Sequence, residues 1–296
     1  MYFTLVPLAV TLILPCIAAG VIYLVLTGAK RKKIRTPLVR SLLRAPGESL
    51  LAQIDELSES INSYLLILAL LPLTTYSVYV TQLYLGQLRA NPFNIGLLGL
   101  AVLSVSAYYL VRLVRAWKGR RRLRLAHDGE VAVAQELTPL MLEGYTVFHD
   151  FPAEKFSIDH IVVGRAGVFA IETKARTKRS AGNGGKDVEV VYDGKSLRFP
   201  FHTETEPIRQ ARNQASWLSK WLSSAVGERV KATPILTLPG WYVKRVKYDD
   251  LPVLNNGEIQ FHIAKKKEEI PKEMITRILH QLDQRCRDVE PKAFGK

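Results

Sequence analysis

SIDHIVVGRAGVFAIETKAR, residues 157–176, reads as two β-strands, Ile158–Val163 and Val168–Lys174, folded back on each other through Gly164-Arg165-Ala166-Gly167. Both runs are rich in β-branched and aromatic side chains, and the glycine-bounded break has hairpin length. Successive strand residues face opposite ways, so Glu172 and Lys174 share one face, with Ile171 and Thr173 on the other. Asp159 stands at the start of the neighbouring strand, and the turn lets the two strand ends lie side by side. One Asp, one Glu and one Lys then converge at one end of a sheet. Alone, a Glu-x-Lys pair on a strand usually marks a solvated face. Here the pair is embedded in two apolar strands, with an Asp one hairpin away. Asp159 and Glu172 are hard oxygen ligands suited to Mg²⁺ or Mn²⁺. Such an ion neutralises phosphoryl charge and acidifies a bound water. Lys174 can position that water or meet developing negative charge. This is the set that phosphodiester hydrolysis needs.

Around the hairpin the pattern is that of an α/β domain with a mixed central sheet. Asp128-Gly129-Glu130 opens a helical run with Asp128 as N-cap, and Val131, Ala134, Leu137, Leu140 and Met141 form its apolar stripe up to Gly144. Tyr145–His149 is short and extended. Ser180–Lys186 is a surface loop, and Val188–Val191 and Ser196–Phe201 form a second hairpin. Pro207 starts a helix through Ser223, Lys231–Leu238 is a strand, Ile259–Ile263 a short strand, and Pro271 opens a last helix to Arg287. His160 points away from Asp159, in a packed or hydrogen-bonding role. His149 and His202 read as surface residues, and Trp217, Trp221 and Trp241 as core or membrane-facing anchors.

The formal net charge of +14 and the 48% hydrophobic content are reconciled by their distribution along the chain. The apolar excess lies in the first part, where residues 1–119 hold 11 Lys and Arg against 4 Asp and Glu. Three runs there are long enough to span a bilayer as helices, at about 3–27, 64–86 and 93–111. Pro15 and Pro72 fall within them, as membrane helices tolerate. No Asp, Glu, Lys, Arg or His within the spans marks a transport path. The first run lacks the basic start and small-residue cleavage site of a secretory signal. Basic residues crowd the segments after the first and third runs (Lys30 to Arg44, then Arg112 to Arg124), and only Arg89 joins the second to the third. That asymmetry predicts an outer N-terminus and a cytoplasmic C-terminal domain over 120–296, after a membrane domain over 1–119. Residues 36–60 read as an inner amphipathic helix broken at Pro46-Gly47, with Leu38, Leu42, Leu43, Leu50, Ile54 and Leu57 on its apolar side. The two cysteines, Cys16 and Cys286, exclude a disulfide framework and a zinc site of ordinary spacing.

Asp159 followed by Glu172-Thr173-Lys174 resembles the D…(D/E)xK pattern of the PD-(D/E)xK nuclease superfamily. The wider text, with Gly129-Glu130 opening a helix, the IDHIVVGRAGVFAIETK block and Pro207-x-x-Gln210-Ala211, is similar to the nuclease-related (NERD) domain over roughly residues 125–240. Ile158 stands where the superfamily name has Pro, a departure that the NERD-type pattern shares. The resemblance implies a restriction-endonuclease-like α/β fold after the three membrane helices. It makes Glu130, Asp159 and Glu172 acidic site residues, Lys174 the catalytic lysine, and Gln210 a neighbour contacting substrate or water. Gln214, one turn on, is by default a solvated helix position.

The basic run Lys174 to Arg179, with Lys186 and Lys195 following, would meet a phosphate backbone, Arg176, Lys178, Arg179 and Lys186 being the contacting residues. A solvated loop or contact with anionic lipid are the competing uses. The expectation is a bacterial inner-membrane protein with a cytoplasmic Mg²⁺- or Mn²⁺-dependent nuclease acting on DNA, RNA not being excluded. Its other partners would be the bilayer and, through the membrane helices, a second copy of the chain. The alternatives are a catalytically silent nucleic-acid-binding or signalling module, and a membrane scaffold whose carboxylates only pair with neighbouring cations.

Overall fold

The computed structural model describes residues 38, 40–86, 91–178, 188–247, 249–267 and 269–291, with isolated positions at Ile17 and Val21. The first apolar run, Arg179 and Lys186 lie outside the described residues. Two compact units emerge, one centred on Ser60–Arg115, the other made of Arg40–Glu59 and Ala116–Glu290.

Helices α1 (Glu48–Tyr84) and α2 (Pro92–Leu142), which contribute residues 60–84 and 92–115 to the first unit, are long and apolar enough to cross a membrane. Leu66, Leu73, Leu100 and Leu103 are all exposed, a surface that water would penalise. The Tyr64 and Tyr109 rings lie 5.9 Å apart, and Arg112 Nη2 donates to the Tyr64 hydroxyl at 3.1 Å.

Both helices outrun the apolar stretches. The amphipathic spacing predicts a helix from residue 36, yet residues 40–45 are not helical. The backbone of Leu42 is engaged by Val289, donating at 2.8 Å and accepting at 3.2 Å, so it cannot serve a helix. α1 starts after the Pro46-Gly47 turn and runs on into the second apolar run; Ile54 is buried, while Asp55, Glu56 and Glu59 are exposed. Likewise, Asp128 caps nothing. α2 passes through it, because residues 112–127 contain good helix formers, no Pro and one Gly. That glycine, Gly119, is a contact point, as a methyl group there would lie 3.3 Å from Leu57 Cδ1. The buried stripe at the end of α2 is Val133, Leu137 and Leu140; Met141 is exposed.

The second unit holds a five-stranded sheet in the order β1 (Thr146–Pro152), β2 (Ser157–Gly164), β3 (Gly167–Thr173), β7 (Ala232–Thr237), β9 (Val253–Leu254). β1, β2 and β3 are antiparallel neighbours, and β3, β7 and β9 run parallel. The sheet is therefore mixed. A smaller sheet runs β6 (Thr203–Glu204), β5 (Leu197–Arg198), β4 (Glu189–Tyr192), β8 (Tyr242–Arg245). Helices α3 (Glu206–Val226) and α5 (Lys272–Cys286) cover one side of the large sheet, where Leu218, Leu222, Ile278 and Leu282 pack on Ile161, Val163, Val168 and Ala170. On the other side, Leu137 and Leu140 of α2 and Ile259 and Ile263 of α4 (Ile259–Ala264) pack on Val162, Phe169 and Ile171. Burying each of these side chains contributes ~1.5–3 kcal/mol.

Residues 259–263 form a helix rather than the expected strand. Asn255 and Glu258 make a capping box, with Gly257 N–H donating to the Asn255 side chain at 3.1 Å and Asn255 N–H donating to Glu258 at 2.9 Å. Trp241 is buried in a third cluster with Tyr192 and Leu236. Trp217 and Trp221 pack against the first cluster, their rings stacked 6.1 Å apart.

Candidate active site

The hairpin register pairs His160 with Ile171 and so sets Asp159 opposite Glu172 on the large sheet. Asp159 Oδ2 accepts the Thr173 N–H at 2.6 Å, which fixes the carboxylate against its partner strand. Beyond Thr173, Lys174 N–H donates to Thr237 O at 2.9 Å, holding the end of β3 to β7. The Lys174 ammonium forms an ion pair with Glu172 Oε1. Glu130 arrives from α2, where Gly129 lets the helix pass close to the departing strand: a methyl group there would fall 2.7 Å from Ala175 Cβ. The three carboxylates are sequestered, Glu130 being 7%, Asp159 9% and Glu172 1% exposed.

Their electrostatics follow from crowding like charges in a dry place. Burial first, then the charges of Asp150 and Glu172, pushes Glu130 up to about 8, against the pull of Lys174 and a Gly47 backbone amide. Burial, then Glu172 and Glu130, holds Asp159 well above the usual carboxylate range. Glu172 is also raised by burial, opposed by Lys174 and by the nearby Gln214 amide. Burial pulls Lys174 down, but Glu172 and Asp159 outweigh it and keep the amine protonated.

Glu130 Oε2 and Glu172 Oε2 are buried with no hydrogen-bond partner among the described residues. Orphaned carboxylate oxygens in a repulsive cluster are what a divalent cation relieves. No group of three His, Cys, Asp or Glu side chains among the described residues forms a ready metal cage. Mg²⁺ does not require one, since it commonly uses one or two carboxylates and keeps several waters. Asp159 and Glu172 fit that role.

The expected site residues thus divide. Glu130, Asp159, Glu172 and Lys174 are brought together. Gln210 is half-buried on α3, and no hydrogen bond among the described residues ties it to them. The buried amide is Gln214, 2% exposed, which donates to Ser157 O at 3.2 Å and leaves its Oε1 without a partner. Its signal was a glutamine inside the apolar stripe Ile208, Ala211, Ala215, Leu218, Leu222. Asp150, 1% exposed on β1, is the other residue that the sequence did not single out. An Asp between Phe148 and Phe151, one place beyond the expected strand, was its only local sign.

Residues 125–239 match the family model of the nuclease-related domain, NERD. The chain carries a nuclease-related domain. No curated protein and no solved structure matches the chain. The nuclease-related domain begins within α2 and ends just after β7, so it contains Glu130, Asp150, Asp159 and Glu172. The segment 40–59 and strands β8 and β9 lie beyond it.

Basic residues near the nuclease-related site are partly committed. Arg176 makes a two-pronged ion pair with Glu204, both bonds at 2.8 Å. Lys178 is exposed, its ammonium 5.8 Å from the centre of the Trp241 ring. Arg209 pairs with Glu206, and Arg212 with Asp249 and Asp250. His160 is buried, with its Nδ1 2.9 Å from Nδ1 of His149. His149 is half-buried rather than a surface residue, and burial pushes it down to about 4. His202 is exposed and hydrogen-bonds Glu204 at 2.9 Å.

Proposed function

We propose that this chain is a membrane-anchored, metal-dependent nuclease of PD-(D/E)xK type that hydrolyses phosphodiester bonds of DNA on the cytoplasmic side of a bacterial inner membrane. The observation that carries the reading is the convergence of Asp159, Glu172 and Lys174 on adjacent strands beside the buried Glu130. The match to a nuclease-related domain over residues 125–239 supports it. Asp159 and Glu172 would hold Mg²⁺ or Mn²⁺, which when bound supplies charge neutralisation of the phosphate and a more acidic water. Lys174, kept charged by Glu172 and Asp159, presents an ammonium to the negative charge that develops during hydrolysis. Glu130, neutral over most of the physiological range, can hand a proton to or take one from a water at the site. The Gln214 Oε1, buried and unpartnered, is a ready acceptor for the same water.

Anchoring rests on α1 and α2 and on the first apolar run as a third span. The concentration of Lys and Arg at 30–44 and 112–124 supports an outer N-terminus and a cytoplasmic nuclease-related domain. Full-length protein in nanodiscs should cut plasmid DNA with Mg²⁺ or Mn²⁺. A Lys174→Ala chain should be slower by on the order of 10²–10³-fold. Equal cleavage by the two chains would remove the catalytic claim.

A further inference from the structure

Asp150 has an unusual address for a carboxylate. It sits in the middle of β1, between pairs His149–His160 and Phe151–Ile158, which sets it across from Asp159. Its backbone has φ +44, outside strand geometry, and its side chain is buried. The charge of Asp150 is among the causes that raise Glu130, so it belongs electrostatically to the acidic cluster. Among the described residues its hydrogen-bond donors come from the strap ahead of α1 and from the first turn of that helix. Arg44 Nη1 donates to Asp150 Oδ2 at 2.7 Å, Ser49 N–H to the same oxygen at 2.9 Å, and Ser49 Oγ to Oδ1 at 2.7 Å. The two amide and hydroxyl donors belong to the first turn of α1, whose free N–H groups favour an anion.

The strap is itself held. Arg44 reaches Asp288 through two bonds of 2.8 Å, its N–H donates to Cys286 O at 3.1 Å, and Leu42 pairs with Val289. The Gly47 backbone amide opposes the rise of Glu130. A cation, a hydroxyl and an amide from residues 44–49 are thus spent on Asp150.

We infer that Arg44 is the fixed counter-cation of the acidic site, a positioning residue that masks Asp150 so that an entering ion is offered Asp159 and Glu172 and not a fourth carboxylate. The inference rests on the metal-site reading above. The cluster then has a defined charge and a defined ligand pair, although the residue that sets them lies outside the matched domain. Removing the guanidinium leaves Asp150 free to join the ligand set and makes the site more negative. Divalent cations should then bind more tightly, while cleavage slows because the ion is drawn from its working ligands.

The test is Mn²⁺ binding by calorimetry and electron paramagnetic resonance on the full chain in nanodiscs, with DNA cleavage measured in parallel. Arg44→Gln should tighten Mn²⁺ binding on the order of tenfold and lower kcat. Arg44→Lys, which keeps the charge, should stay within about twofold of wild type in Mn²⁺ affinity. A merely structural role would weaken both binding and cleavage. Unchanged or weaker Mn²⁺ binding in a folded Arg44→Gln chain overturns the inference. The Asp150→Asn and Arg44→Gln/Asp150→Asn chains bury no unpaired charge, so they remain measurable where the single change unfolds. The double chain loses one charge of each sign and should bind Mn²⁺ within about twofold of wild type, whereas tightening as large as that of Arg44→Gln in the double chain also overturns it. If wild type and Glu172→Gln both fail to bind Mn²⁺, the metal-site reading falls and takes this inference with it. If Glu172→Gln alone loses the ion while Arg44→Gln is silent, only this inference falls.

Discussion

Glu130→Gln should make the metal-free protein more stable, and increasingly so as pH rises. In the folded chain burial and two neighbouring carboxylates hold Glu130 at about 8, against an ordinary value of 4.5. Between those limits the folded state binds more protons than the unfolded one, so stability falls as pH rises through that window. At pH 8 the unfolded chain ionises freely while the folded one is half-titrated, a difference of ~4 kcal/mol; at pH 5 it is under ~1 kcal/mol. Glutamine cannot ionise and escapes this cost. As a neutral isostere it stands in for the protonated carboxyl, so the net expectation is a gain of ~4 kcal/mol at pH 8 and under ~1 kcal/mol at pH 5. For a unit of this size that is a rise in Tm of roughly 8–16 °C at pH 8. Tryptophan fluorescence reports the transition, because Trp217, Trp221 and Trp241 sit in the packed clusters of the second unit. The full chain in nanodiscs, with EDTA, should be melted at both pH values. A Glu130→Gln chain no more stable than wild type at pH 8, or equally stabilised at both, would refute the repulsive-cluster argument. With Mn²⁺ restored, wild type should recover more of the deficit than the variant, since binding to the folded state alone stabilises it.

The His149–His160 pair sets the opposite limb. The folded His149 is pushed by burial to about 4 from an ordinary 6.5, so the unfolded chain takes up the proton first. Stability from this group is complete above about 6.5, declines by ~3 kcal/mol as pH falls to about 4, and then levels off; a His149→Leu chain melted across pH 7 to 4 should show a shallower decline. The basic patch is narrower than the charges suggest. Arg176→Gln should leave the salt dependence of DNA binding unchanged, because its guanidinium is committed to Glu204, whereas Lys178→Gln should lower the slope by about 1. Equal loss of slope from both substitutions, in a fluorescence-anisotropy titration, would mean that the Glu204 pair opens on binding.

What could be read from the sequence was what local chemistry decides. The hairpin at 157–176 combines strand period, glycine turn and three chemical residues within twenty positions, and its register follows from the turn. The central acids and the lysine were legible for that reason. The start of α2 was not, because a helix needs no cap where good helix formers continue upstream of Asp128. β8 and β9 have four and two residues, too few for a period to show. Gln210 and Gln214 lie one turn apart on α3, and only the packing against Ser157 chooses between them.

Arg44 and Asp150 were beyond any local reading, since 106 residues separate them. Charge balance nevertheless narrows the search. Glu130, Asp150, Asp159 and Glu172 are all buried, and Lys174 is the cation of the nuclease-related domain that pairs directly with one of them among the described residues. Four acids and one ammonium cannot stay ionised together without water, so either protons or further cations must enter. The structure uses both kinds of relief, raising Glu130 and Asp159 toward the neutral form and bringing Arg44 to Asp150. The second kind comes from the strap that opens α1, one of the two long apolar helices among the described residues. The part of the chain suited to a bilayer is thereby continuous with the part that balances the acidic site. A cut between the two, at the boundary near residue 119 that composition alone suggests, would remove Arg44, Gly47 and Ser49 from the carboxylates that they hold.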